Sequence, residues 1–254
     1  MVDGVHRAAH LMRTARHTVA LTGAGLSTES GIPDFRSPGG VWERFRPIEY
    51  QEFLASHEAR IEHWRYKQAT VPAMLHAEPN AAHRALAELE TAGRLVAVIT
   101  QNIDALHQRA GSRHVLELHG TNLEAACLDC GARVPIGDAL EQLGRGDAEG
   151  DAVPRCAQCG GWLKPATVSF GQALPADVLR EAAALAEKSD CFLALGSSLL
   201  VNPAAALAGL AKRCGAALIV ITLGDTPYDV ADVVIHGPLA ATLTRIAALV
   251  LDRE

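Results

Sequence analysis

Four short apolar runs constrain this chain more than anything else in it: 18–22 (TVALT), 95–99 (LVAVI), 191–195 (CFLAL) and 217–221 (ALIVI). None alternates polar with apolar residues, so each reads as a strand buried on both faces, as in a parallel sheet covered by helices. Helical patterns separate them. Residues 2–15 form one, and 47–75 are irregularly helical. Pro79 precedes a third, with Ala82, Ala85, Leu86 and Leu89 on one face and Gly93 at its end. Pro175 opens another, with Val178, Ala182 and Leu185 inward; 203–213 and 239–251 complete the set, and 115–118 and 166–170 add short strands. Strands alternating with helices predict an α/β fold, a Rossmann-like doubly wound parallel sheet with right-handed crossovers. Ligands of such sheets bind outside the carboxyl ends of the strands.

Between 121 and 164 the pattern breaks, and cysteine, glycine and aspartate rise. Residues 144–150 read as a solvated loop. Cys127 and Cys130 form one C-x-x-C pair and Cys156 and Cys159 a second, spacing that reads as a closed tetrathiolate site for a structural Zn²⁺. Cys191 and Cys214 have no partner at ligand spacing and read as packing residues. The expected division is a discontinuous Rossmann-like domain of 1–48, 76–120 and 166–254. A helical insertion, 49–75, and a zinc module, 121–165, form a smaller domain. The 254 residues suffice for both. A formal charge of −6 lacks the basic excess of a nucleic-acid binder, and 49% hydrophobic against 20% charged residues excludes disorder as the main state. No apolar run reaches the ~20 residues of a membrane helix, and 1–10 carry no secretory pattern, so a cytoplasmic location is expected.

Polar motifs follow the strands. After the first comes Gly23-Ala24-Gly25-Leu26-Ser27-Thr28, then Gly31-Ile32-Pro33-Asp34-Phe35-Arg36. The glycines admit a tight turn and close approach of a phosphate, with Ser27 and Thr28 as donors, Arg36 as an anion clamp and Phe35 as a lid over a ring. The spacing is neither G-x-G-x-x-G nor a Walker loop, and glycines in such a turn also serve packing alone. Thr100-Gln101-Asn102-Ile103-Asp104 follows the second run; its amide and acid groups match a carboxamide in donor and acceptor senses, or form an Asx-turn. His119 after 115–118 reads as a general base of near-neutral pKa, or as a structural histidine. Gly196-Ser197-Ser198, running on to Val201-Asn202-Pro203, is a second nucleotide-contacting turn in form, or a simple helix start.

Taken together and in this order, these motifs resemble the sirtuins, the silent information regulator family, of bacterial or archaeal type, over roughly 18–236. The resemblance implies an NAD-dependent protein lysine deacetylase that passes the acyl group to ADP-ribose and releases nicotinamide. In that scheme His119 deprotonates a ribose hydroxyl and Asn102 and Asp104 hold the carboxamide. Gln101 contacts the ribose. Gly23, Ala24, Gly25, Thr28, Asp34, Phe35, Arg36 and Ile103 line the cofactor loop, with Gly196, Ser197, Ser198, Thr222 and Leu223 on the phosphate and adenine side. Phe170, Gly171 and Val201 clamp an acyl-lysine protein as an extended peptide, and His63 and Tyr66 line the acyl pocket. The resemblance thus implies NAD as co-substrate and Zn²⁺ as structural metal.

Two positions depart from the family pattern. Thr222 stands where asparagine is usual, and Gln172 where glutamate is. His63 and Tyr66 occupy the places of the Tyr-x-x-Arg found in desuccinylating relatives, so uncharged acyl groups are expected over succinyl. The alternatives are mono-ADP-ribosyl transfer to protein, a preference for longer uncharged acyl groups, and a non-catalytic NAD sensor.

Overall fold

A computed structural model describes residues 2–35, 39–144, 153–224 and 230–253. Helix α1 (Val2–Thr14) leads into strand β1 (Thr18–Thr22), and two short 3-10 turns follow at Ala24–Leu26 and Thr28–Ser30. Next come α2 (Tyr50–Ala55), α3 (His57–His76), α4 (Ala81–Thr91), β2 (Ala97–Thr100), α5 (Leu106–Arg109) and β3 (Val115–Glu117). A three-stranded unit holds β4 (Gly120–Cys127), β5 (Arg133–Pro135), α6 (Ile136–Gly144) and β6 (Leu163–Thr167). The chain then returns through α7 (Ala176–Lys188), β7 (Cys191–Leu195), α8 (Ala206–Arg213), β8 (Ala217–Thr222), β9 (Val233–His236) and α9 (Leu239–Val250).

The predicted parallel sheet is present. Among the described residues it has the order β3-β2-β1-β7-β8-β9, every neighbouring pair parallel. Successive side chains of a strand point to opposite faces, and both faces are covered. Ala20 and Leu193 pack with Met12 of α1, Leu86 of α4 and Leu243 of α9. Val19, Leu21 and Phe192 pack on the other side with Ala182 of α7 and Ala208 of α8. Burial on both sides explains why these runs are continuously apolar.

The second sheet has the order β5-β4-β6 and is antiparallel. The expected strand at 166–170 instead begins at Leu163 and pairs with β4, in this smaller sheet. Phe53 and Trp64, from α2 and α3, share a core with Ala125, Ile136 and Leu163, and the Trp64 indole N–H donates to the Leu163 carbonyl at 3.2 Å. The stretch read as a solvated loop, 144–150, falls but for Gly144 outside the described residues. Among the described residues no helix is long and apolar enough to cross a membrane.

Candidate active site

Because the strands run parallel, the turns after β1, β2, β7 and β8 emerge at one edge. The chain order reverses around β1, which lies between β2 and β7, and a crevice opens where connections diverge. Its floor is two glycine turns in contact: Gly23 N–H donates to the Leu195 carbonyl at 3.0 Å and Gly25 N–H to the Gly196 carbonyl at 2.9 Å. A Cβ on Gly23 would stand 2.8 Å from that Gly196 oxygen, and one on Gly196, where φ is +59°, would stand 2.5 Å from the Leu26 nitrogen. Both obstacles are backbone and cannot swing aside. Gly196→Ala is therefore expected to cost about 1–3 kcal/mol, the usual penalty of overpacking, read as a lower denaturation midpoint at constant m-value.

Above this floor is a cleft of about 630 Å³, the size of a small-molecule or cofactor site. Gly23, Ala24, Gly25, Thr28, Asp34 and Phe35 line it from the first turn, and Gln101, Asn102, Ile103 and His119 from the β2 and β3 ends. Gly196, Ser197, Ser198, Val201, Thr222 and Leu223 line it from the turns after β7 and β8, and His63, Tyr66, Phe170 and Gly171 line it as well. Arg36 lies outside the described residues.

Asp104 is the described residue of the expected cofactor set that does not line the cleft. It is buried, accepts from Ser27 Oγ at 2.7 Å and from the Leu106 backbone N–H at 2.9 Å, and burial pushes its pKa up against these hydrogen bonds. It reaches the cleft through Asn102. Asn102 Nδ2 donates to the Gly23 carbonyl at 3.1 Å and to Ser27 Oγ at 3.0 Å. A carbonyl oxygen only accepts, so the amide nitrogen must face it. Both amide hydrogens are engaged, and Oδ1 is left as an acceptor.

His119 is fixed by the same logic. Its Nδ1 lies 3.0 Å from the Gln101 carbonyl, so Nδ1 carries the hydrogen and Nε2 keeps a lone pair. Burial lowers its pKa below 6.5, opposed by the Gln101 hydrogen bond, and so favours the neutral ring. Gln101 Nε2 in turn donates to Ser197 Oγ at 2.9 Å, tying the β2 turn to the β7 turn.

Sequence reasoning named Phe35, Tyr66 and Phe170 but missed Trp42 and Phe45, which line the cleft among them. Phe35, Trp42 and Phe170 form a chain of rings with centroids 5.7 and 5.6 Å apart, and Phe45 packs on Tyr66 at 5.1 Å. In a chain with 5 Phe, 3 Trp and 3 Tyr, the run Phe35, Trp42, Phe45 beside a glycine-rich turn was a usable signal. Lys67 was also missed. It lines the cleft, is buried, and donates to Asn122 Oδ1 at 2.8 Å. Burial first, then the like charge of Lys164, pushes its pKa down to about 7. Glu29 holds the first turn to α9 by accepting the Ala240 N–H at 3.0 Å.

Apart from the cleft, Cys127, Cys130, Cys156 and Cys159 converge, with all four sulfurs within 4.8 Å of one another. Cys127 and Cys159 sulfurs are 3.5 Å apart and Cys130 and Cys156 sulfurs 3.7 Å. Four thiolates at about 2.3 Å from a tetrahedral Zn²⁺ would sit about 3.8 Å apart, so the donor set and its spacing fit that ion.

Comparison with known proteins places these features. The model of the Sir2 family matches residues 23–203. The chain is 42% identical over 253 residues to an NAD-dependent protein deacetylase of Thermodesulfovibrio yellowstonii, covering 99% of this chain and 97% of that one. It is 48% identical over 230 residues to NAD-dependent protein deacetylase 2 of Streptomyces coelicolor, covering 88% and 93%. Among solved structures, a Sir2 protein with a p53 peptide and NAD+ superposes with a TM-score of 0.85 at 40% identity, covering 93% of this chain and 94% of that one. A Sir2 protein bound to acetylated peptide gives 0.85 at 39%, covering 95% and 96%.

Proposed function

The chain belongs to the Sir2 family, and we propose from this that it is an NAD-dependent protein lysine deacetylase whose active site is the cleft at the β1–β7 switch point. One observation carries the reading: an imidazole with a bare Nε2 and an amide with a bare Oδ1 line the same cleft beside two glycine turns packed too closely to admit a Cβ.

When bound, NAD supplies a ribose carbon at which an acyl-lysine oxygen displaces nicotinamide. The chain's residues position and deprotonate. Asn102 Oδ1 accepts from the carboxamide N–H, and Asp104 acts through Ser27 to keep Asn102 turned. Gln101 serves the ribose, and the turns at Gly23–Gly25 and Gly196–Ser198 leave room for the pyrophosphate. His119 Nε2 receives a proton from a ribose hydroxyl. Phe170, Gly171 and Val201 clamp the substrate as an extended peptide. The four cysteines hold a structural zinc, and a tetrathiolate suits the reducing cytoplasm.

The test is an acetyl-lysine peptide incubated with and without NAD, with products identified by mass. Stoichiometric free lysine, nicotinamide and O-acetyl-ADP-ribose are expected. ADP-ribose found on protein instead would replace deacetylation by mono-ADP-ribosyl transfer.

Acyl preference follows from the wall formed by His63, Tyr66 and Lys67. His63 is buried and its pKa is lowered well below 6.5 by burial, then by Lys67 and Lys164. Lys67 at about 7 and Lys164 at about 8 are weakened as cations by burial, and each is already bonded, Lys67 to Asn122 Oδ1 and Lys164 to the Thr167 carbonyl. Arg46 at the cleft is held by Glu52 and Glu62, so at pH 8.5 a dicarboxylic tail would be buried with little free compensating charge. The expected ratio of kcat/KM for succinyl over acetyl peptide at that pH is below one. A ratio above one would overturn the assignment of this wall.

A further inference from the structure

Two histidines lie beneath the cleft with no part in the chemistry above. His83, on α4, and His107, on α5, are 0% and 1% exposed. Their rings contact each other with centroids 5.0 Å apart and planes tilted by 60°. Each has one buried nitrogen without a hydrogen-bond partner, Nε2 of His83 and Nδ1 of His107. Two imidazoles buried in a core call for a reason, because an unpaired buried polar atom is costly.

The other nitrogens supply one. His83 Nδ1 accepts the Asn80 backbone N–H at 3.3 Å, so its own hydrogen is on Nε2. His107 Nε2 is 2.9 Å from Thr22 Oγ1, Thr22 Oγ1 donates to Thr100 Oγ1 at 2.8 Å, and Thr100 Oγ1 accepts the backbone N–H of Asn102 at 3.0 Å. Thr22 has one hydroxyl hydrogen and gives it to Thr100, so His107 donates from Nε2 and its Nδ1 is a bare acceptor. The facing rings thus offer complementary free atoms, an N–H on His83 and a lone pair on His107. Burial holds both neutral, near 4 and 3, so neither ring introduces a charge under the sheet.

We propose that His107, backed by His83, is a positioning residue for the carboxamide site. Through Thr22 and Thr100 it anchors the backbone of Asn102 from below, while Gly23 and Ser27 hold its side chain from above. Thr22 ends β1 and Thr100 ends β2, in register with each other, so the chain of hydroxyls sets how the two strand ends sit at the switch point. Asn80 joins the same assembly, because its Nδ2 donates to the Leu26 carbonyl of the glycine turn at 2.8 Å. The buried pair therefore braces both turns that face the nicotinamide end.

This rests on the deacetylase reading, and the experiment separates the two. His107→Ala, His107→Gln and Thr22→Val are compared with the zinc-loaded full-length protein for kcat/KM of NAD, KM of an acetyl peptide, and inhibition by added nicotinamide. Displacing a positioned group by about 1 Å costs up to about 100-fold. His107→Ala and Thr22→Val are thus expected to lower kcat/KM for NAD at least about 10-fold and to weaken nicotinamide inhibition by a similar factor. Peptide KM should stay within about two-fold. His107→Gln, whose amide N–H falls near the place of Nε2–H, should recover most of the loss. Thr22→Val keeps the side-chain shape and decides the matter if His107→Ala does not fold. NAD and peptide parameters falling together, no recovery by glutamine, or a Thr22→Val enzyme like the wild type would overturn the positioning role. A wild-type protein that releases no nicotinamide would instead remove the deacetylase reading.

Discussion

Replacing His119 by alanine is expected to lower kcat for deacetylation by about 10²–10⁴-fold, the range of a lost general base, and to leave NAD affinity within a few-fold. The magnitude follows from how little else the cleft offers. Gln101 takes the Nδ1 hydrogen of His119 and leaves its Nε2 bare, and burial favours the unprotonated ring; the other lining imidazole, His63, is packed against Phe53 and Tyr66. The sign of the pH dependence follows too. The base works when neutral, and its pKa is lowered from 6.5, so kcat should be flat from neutral pH upward. It should fall only as pH drops through a value below 6.5. Single-turnover nicotinamide release and calorimetric NAD binding, measured on both proteins, separate chemistry from binding. An alanine variant that still deacetylates at near wild-type rate would assign the base elsewhere, and an acid limb above 6.5 would contradict the buried, neutral ring.

The sheet was legible because burial on both faces leaves an unmistakable mark: β1, β2, β7 and β8 are continuously apolar, and each ends in glycine or a polar turn. The edge strand β9 escaped notice. It is four residues long, and its burial alternates, with Val233 and Ile235 in and Val234 and His236 out, too brief a pattern to stand out. In the smaller sheet β4 mixes buried and exposed positions and carries an irregular register against β6, so no period of two survives in its sequence. At the candidate site, residues on turns after strands were readable because turn chemistry is local. Those delivered by tertiary packing were not. Lys67 faces the cleft only because Asn122 of β4 lies against α3. Asp104 is turned inward by Ser27, 77 residues away in sequence, a contact that no spacing along the chain announces.

Stripping the metal, or replacing Cys156 by alanine, is expected to abolish most activity although the cluster lies apart from the cleft. Intact protein should carry one zinc by elemental analysis. Four thiolates close the coordination sphere, which leaves no position for substrate, so the effect must be structural. The route is visible. Cys127 and Cys156 belong to the core that also contains Phe53, Trp64 and Leu163, and Trp64 sits on α3 beside the acyl wall of His63, Tyr66 and Lys67. The β4 strand that ends at Cys127 begins at Gly120, next to His119, whose carbonyl accepts the Val168 N–H at 2.8 Å. Losing the ion removes the metal cross-link between the Cys127–Cys130 and Cys156–Cys159 turns, and unpaired thiols in an otherwise small core do not hold it. Peptide binding and turnover should therefore fail first, with protease sensitivity confined to the three-stranded unit, α2 and α3. The six-stranded sheet, with its own two-sided core, should keep its far-ultraviolet signal and some NAD affinity. Readdition of zinc to the chelated wild type should restore activity, whereas Cys156→Ala should not respond. Full turnover by a metal-free, folded enzyme would show that the sulfur cluster bears no weight in the active conformation.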